Sequence, residues 1–247
     1  MKTSQLFGGT AYGLIPACDV DDLRSLGRLV RATSGPPFIV GYKVGMVLSL
    51  RYGIRRVVEV IRRFSRLPVI YDHQKLGGDI PEVSSGRALE ILKDAGVNAV
   101  IVFPHGGVDT LRAVIGRCTT LGLEPIVGGE MTHKGYTVSE GGYIEDSAPS
   151  RMYLDAAATG TVGYFVVPGT KAHQIQAYVR ALKEVVDRPA FLFPGIGRGQ
   201  RGDIVDAFQA VRPFPGYAIV GRGIYAEHDM RAAAERLWSG VPSHLVA

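Results

Sequence analysis

Two carboxylates and one ammonium fall within eight residues: Asp72, Lys75 and Asp79, in the run Tyr71-Asp72-His73-Gln74-Lys75-Leu76-Gly77-Gly78-Asp79-Ile80-Pro81. The run follows Leu67-Pro68-Val69-Ile70, where a short buried strand should end. Carboxylates and ammonium groups resist burial unless they are paired. Such a cluster at a strand mouth is either a solvated loop or a site for proton transfer and charge stabilisation. The elements around it decide between these.

Apolar runs recur at even intervals, at residues 14–18, 38–44, 69–71, 99–103, 124–127, 162–167, 190–193 and 217–220. They are continuous, not alternating, and rich in Val, Ile and Phe, as expected of strands buried on both faces of a parallel sheet. Helical periodicity lies between them, at residues 21–33, 48–64, 84–95, 108–121, 171–186, 203–211 and 229–238. The second of these is basic, with Arg51, Arg55, Arg56, Arg62 and Arg63, and reads as the solvated face of an amphipathic helix. The third is expected to start on a Ser cap at Ser84. About eight strands alternating with about eight helices predict an α/β fold, a (β/α)8 TIM barrel. No linker interrupts the chain, so residues 1–247 read as a single domain.

The totals agree. The chain has 247 residues, 46% hydrophobic and 21% charged, with a net charge of +5. That is ordinary for a soluble globular protein, and the modest positive excess suits an anionic small substrate, with no nucleic acid and no membrane as partner. Cys18 and Cys118 offer no metal spacing and no disulfide framework, which fits the cytoplasm. The first nine residues lack the apolar segment of a signal peptide.

In a barrel of this kind the site lies where strands end. Reading past each run gives Asp19, Lys43, the 72–79 cluster, His105, the segment Glu130-Met131-Thr132-His133-Lys134-Gly135, Pro194 and Gly221-Arg222. The loops after strands seven and eight are the usual phosphate site. Gly195, Gly197, Gly199 and Gly202 leave backbone N–H groups free for an anion. Arg222 can clamp a phosphate with a two-pronged guanidinium.

Together these segments resemble the orotidine 5′-phosphate decarboxylase family. Asp72, Lys75 and Asp79-Ile80-Pro81 resemble its D-x-K-x-x-D-I signature, here spaced D-x-x-K-x-x-x-D, one residue longer in each gap. Lys43 resembles the lysine ending strand two, and Asp19 the strand-one aspartate that contacts ribose. Residues 130–135 resemble E-M-S-H-P-G, with Thr132 replacing the serine that reads the pyrimidine. Residues 194–203 resemble the P-G-x-G-x-Q-G-G-D lid with one residue inserted, and Gln200 stands where that lid has its phosphate-contacting glutamine. Residues 220–225 resemble V-G-R-x-I-Y.

The resemblance implies cofactor-free decarboxylation of orotidylate to UMP, with Lys75 delivering the proton to C6 and Asp72, Asp79 and Lys43 completing an alternating charge network. It implies substrate contacts from Asp19, Ile80, Thr132, Pro194, Gln200, Gly221 and Arg222. It also implies a homodimer in which Asp79 and Ile80 reach the neighbouring site. The same suprafamily includes hexulose-6-phosphate synthases and keto-gulonate-phosphate decarboxylases, which typically use Mg²⁺. One of those, or a non-catalytic nucleotide-binding relative, is the alternative. No metal site is read from the residues. His105 and His133 are expected to hydrogen-bond structurally, and Asp155 and Asp203 to start helices.

Overall fold

The computed structural model describes residues 6–72, 74–197 and 202–246, and for Gln74, Lys75 and Val246 the backbone only. Along the chain run β1 (Tyr12–Pro16), α1 (Leu23–Thr33), β2 (Tyr42–Val44), α2 (Met46–Tyr52), α3 (Ile54–Arg62) and β3 (Val69–Asp72). Next come α4 (Pro81–Ser84), α5 (Arg87–Asp94), β4 (Ala99–Val102), α6 (Val108–Leu121), β5 (Glu124–Gly128) and α7 (Ala148–Ala157). Then follow β6 (Tyr164–Val166), α8 (Ala172–Leu182), β7 (Ala190–Phe193), α9 (Ile204–Val211), β8 (Gly216–Val220), α10 (Arg222–Tyr225), α11 (Met230–Ser239) and α12 (Ser243–Val246).

All strand pairs are parallel, in the order β1-β8-β7-β6-β5-β4-β3-β2. The seam between β1 and β2 is closed by the bridges Leu14↔Ile39 and Ala17↔Lys43. This is the expected (β/α)8 barrel. Among the described residues no helix is long and apolar enough to cross a membrane.

The strands read as unbroken apolar runs because both faces are buried, in two separate cores. Ile15, Ile70, Ile101, Ile126, Leu192, Tyr217 and Ile219 fill the barrel interior. Their alternates Leu14, Val69, Val100, Val127, Phe191, Ala218 and Val220 pack beneath the helices. In β2 the same alternation sends Tyr42 and Val44 outward and Lys43 inward. In β3 it turns Ile70 and Asp72 inward. Phe7 plugs the bottom of the barrel, its ring centroid 4.2 Å from that of Tyr217 and 5.6 Å from that of Tyr164.

The expected elements need several corrections. The periodic stretch 48–64 is two helices, not one. Gly53, at φ +77°, breaks it with a backbone conformation that other residues rarely adopt. The stretch 84–95 begins not at a Ser cap but after Gly86, and Ser84 ends the short helix α4. Helix α7 was not expected; Asp155 lies within it, near its C-terminal end, not at its start. Asp203 does cap α9, accepting from Val205 N at 2.7 Å and Asp206 N at 3.1 Å. Trp238 stacks on Phe38, with ring centroids 5.1 Å apart.

Candidate active site

Lys43 Nζ donates to Asp72 Oδ2 at 2.9 Å and lies 3.5 Å from Asp19 Oδ1. Three adjacent strands supply this cluster. Cys18 N donates to the Lys43 carbonyl at 2.8 Å, so the turn after β1 continues the ladder and brings Asp19 alongside. The ammonium is buried. Burial pulls the lysine pKa down, but the Asp72 and Asp19 carboxylates outweigh it and hold the pKa above its ordinary value. Lys43 is therefore a fixed positive charge at the mouth. Asp72 Oδ1 is buried and has no hydrogen-bond partner among the described residues.

Beyond Asp72 the chain tightens into a 3-10 turn over Gln74–Gly77. Such a turn advances ~2.0 Å per residue against ~3.3 Å in a strand, so it absorbs the two additional residues of the motif. Gly77 is required there by close approach: a Cβ at this position would collide with the Phe103 carbonyl. Gly106 N donates to the Gly77 carbonyl at 2.7 Å, and Thr110 Oγ1 to the Asp79 carbonyl at 2.8 Å. The loop after β3 is thus tied to the end of β4 and to α6.

The backbone of Lys75 lies in this turn, and its side chain falls outside the described residues. The Asp79 side chain is exposed and, among the described residues, accepts only from its neighbour Ile80 N, at 2.8 Å. It makes no ion pair among the described residues, so the structure does not bring it to Lys43 within one chain.

On the β8 side, Pro16 pairs with Val220, and Ala17 N donates to the Val220 carbonyl at 2.8 Å. This sets Gly221 and the exposed Arg222 beside the β1 end that carries Asp19. The Tyr225 phenol completes this corner; burial raises its pKa first, and the nearby Asp19 carboxylate raises it further.

Across the barrel, Thr170 Oγ1 donates to the Thr132 carbonyl at 2.9 Å, and Gly169 N to the Pro194 carbonyl at 3.1 Å. Thr132, Thr170, Lys171 and Gly195 line one 560 Å³ cavity. The loops after β5, β6 and β7 therefore meet. Ile196 pairs with Gly202, which fixes the two ends of the loop after β7. Gln200 lies outside the described residues.

A second charged cluster escaped the sequence reading. Glu130 is buried, and Lys171 donates to it at 2.7 Å and also to Glu140. Tyr178 donates to the other Glu130 oxygen. Burial lowers the Lys171 pKa, but its bonds to Glu130 and Glu140 carry it above the ordinary value. The partners are 31 to 48 residues apart in sequence, so no local spacing announces them. His105 is structural, as expected: its Nε2 lies 2.8 Å from the Tyr136 hydroxyl, which donates to the Gly129 carbonyl at 3.0 Å. His133 is exposed.

Comparison with known proteins gives this arrangement a family. Residues 13–237 match the model of the "Orotidine 5'-phosphate decarboxylase / HUMPS family". A protein of Methanosarcina mazei named orotidine 5'-phosphate decarboxylase is 32% identical over 203 residues, covering 80% of this chain and 82% of that protein. One of the same name from Thermococcus kodakarensis is 30% identical over 229 residues, covering 92% and 96%. Among solved structures, the orotidine 5'-phosphate decarboxylase of Pyrococcus horikoshii superposes with a TM-score of 0.72 at 26% identity, covering 92% and 97% of the two chains. The Methanocaldococcus jannaschii enzyme, complexed with the inhibitor BMP, shares the fold with a TM-score of 0.76 at 22% identity, covering 96% and 99%. Matched over most of its length in sequence and in fold, the chain belongs to the orotidine 5'-phosphate decarboxylase / HUMPS family.

Proposed function

We propose that the protein decarboxylates orotidine 5′-monophosphate to UMP in pyrimidine biosynthesis, as a cytoplasmic enzyme. The observation that carries this is the buried Lys43–Asp72 pair at the barrel mouth, with one Asp72 oxygen unpaired among the described residues. The curated relatives bear the name of this activity.

Loss of CO₂ leaves an electron pair on C6 of the pyrimidine. A cation held close to that carbon lowers the barrier, and a proton then quenches the carbanion. Lys43 is locked between two carboxylates and is poorly suited to give its proton away. The open Asp72 oxygen suits a second ammonium, and Lys75, three residues on, is the proton donor in this reading. Asp19 takes the ribose and Thr132 the base. Arg222, with Gln200, Pro194 and Gly221, takes the phosphate. Contacts to that distant phosphate help organise the reacting end.

Asp79 and Ile80 act across a homodimer interface. Support comes from exposed apolar side chains on the helices that follow β2 and β3: Val47 is 62% exposed and Leu50 76% on α2, Ile80 59% and Val83 54% at the start of α4. Exposed apolar side chains of this size are a normal mark of an association surface. Leu50→Asp should shift the mass in light scattering from two chains to one and cost activity; an unchanged mass removes the interface from the reading.

The direct test follows orotidylate absorbance with purified protein, with and without EDTA. Turnover insensitive to EDTA, abolished in Lys75→Ala while UMP still binds, is the expected result. Retained turnover in that variant rejects Lys75 as donor. A requirement for Mg²⁺ would point instead to the sugar-phosphate lyases of the suprafamily.

A further inference from the structure

Positive charge in this molecule is concentrated in one place. Residues 23–66 contain nine arginines and one lysine against a single carboxylate, Glu59. The whole chain has 28 basic and 23 acidic residues, which leaves 18 basic against 22 acidic outside that stretch. The sequence reads the basic run of α3 as a solvated helix face. Folding adds a second row, because α1 packs alongside α3 and turns its own arginines the same way.

A groove of 780 Å³ runs between the two helices on the outside of the barrel wall. Arg24, Arg28 and Arg31 line one side and Arg55, Arg56 and Arg63 the other. Glu59 is the one carboxylate in the lining, and none of the six guanidiniums makes an ion pair among the described residues. The half-buried rings of Tyr52 and Phe64 form part of the wall, with the Arg31 guanidinium 4.9 Å over Phe64.

Six like charges around one trough repel each other, and a bound anion relieves what water and Glu59 leave unscreened. Arginines offer paired N–H donors that match phosphate oxygens. Their spacing limits the guest. Arg24, Arg28 and Arg31 stand at i, i+4 and i+7, a row ~10 Å long at the helical rise, and packed helix axes are ~8–10 Å apart. Two short rows flanking a small-molecule-sized cavity suit a compact oligoanion. A nucleic acid, with one charge per ~1.7 Å of duplex axis, calls for a stripe that continues along the surface.

We infer that the α1–α3 groove is a second anion site, built for a short run of linked phosphates, either an inorganic oligophosphate or the triphosphate tail of a nucleotide. The inference is independent of the decarboxylase reading.

Calorimetric titration tests it. The Arg222→Ala protein is used, so that the phosphate corner at the mouth does not contribute. Inorganic tripolyphosphate and ATP are titrated separately at low and at physiological salt. Tripolyphosphate is expected to bind one site, weakening as salt rises. Adding Arg28→Glu with Arg56→Glu should weaken it at least tenfold, and Arg28→Gln alone several-fold. In the wild-type background these exposed substitutions leave orotidylate turnover unchanged. Equal affinity for both ligands identifies the phosphate chain as the determinant; ATP at least tenfold tighter identifies a nucleotide, its base resting on Tyr52 or Phe64. Undiminished binding in the double variant overturns the site. So does tighter binding of a single-stranded oligonucleotide than of tripolyphosphate at the same salt, which assigns the groove to nucleic acid.

Discussion

Lys43 and Asp72 come from adjacent strands, both point into the barrel, and meet at 2.9 Å with little water around them. Neither is stable there alone. Lys43→Met removes the cation shared by Asp72 and Asp19, a loss of about 3 kcal/mol at pH 7, the low end for a broken buried pair because Asp72 is not fully enclosed. Turnover should vanish.

The pH dependence of that variant has a definite sign. In the native protein the Lys43 pKa is raised above its ordinary 10.5, so its contribution is complete below that value and lost as pH climbs through the raised one. Lys43→Met has no such group to lose. The stability gap between the two proteins should therefore hold steady up to the ordinary lysine value of 10.5 and narrow above it. Urea melts of both proteins carried into that alkaline range check this; a gap that does not narrow there disproves it.

Lys171 does the same work for Glu130, whose side chain is 2% exposed. Lys171→Met should cost about 3 kcal/mol, which for a chain of this size lowers Tm by about 10 °C. Adding Glu130→Gln removes the stranded charge and should restore most of the loss. A double variant no better than the single would show that lost packing, not charge, is responsible.

Gly77→Ala tests the turn that carries Lys75. The new methyl would meet the Phe103 backbone, which cannot rotate away as a side chain can. The loop must shift instead. Catalysis should fall at least tenfold while circular dichroism stays that of the folded barrel, since the strands are untouched. Full activity would show that the turn has slack to spare.

Both thiols should be silent. Cys18 and Cys118 are 1% and 0% exposed, and burial raises both thiol pKa values, that of Cys118 to about 12. Native protein should take up no iodoacetamide at pH 8 over an hour, and urea-unfolded protein two equivalents.

How much of this was legible beforehand follows from what each residue depends on. Strands were legible because burial on both faces writes an unbroken apolar run, and all eight predicted runs overlap a strand. Helix α7 was not, because it starts Ala-Pro-Ser and buries small residues such as Ala156 and Ala157, which leave a weak periodicity. The break at Gly53 hid inside a pattern that keeps its phase across it. In the site, Asp19, Lys43 and Asp72 were legible from their places at strand ends, since strand alternation alone turns Lys43 and Asp72 inward. The Glu130–Lys171 pair was not, because 41 residues separate its members and only closure of the barrel joins them.

Phe7, wedged against Tyr164 and Tyr217 at the far end, gives the molecule one door instead of two. The side chains that fill the barrel interior stand between that end and the mouth. In the proposed reaction the nucleotide entering, the gas leaving and the product nucleotide must all share one passage. Traffic there becomes sequential: the vacated pocket admits a new substrate only after the old phosphate has let go of its corner. Product nucleotide should then compete directly with substrate, and at high flux its departure, not bond cleavage, would set the pace.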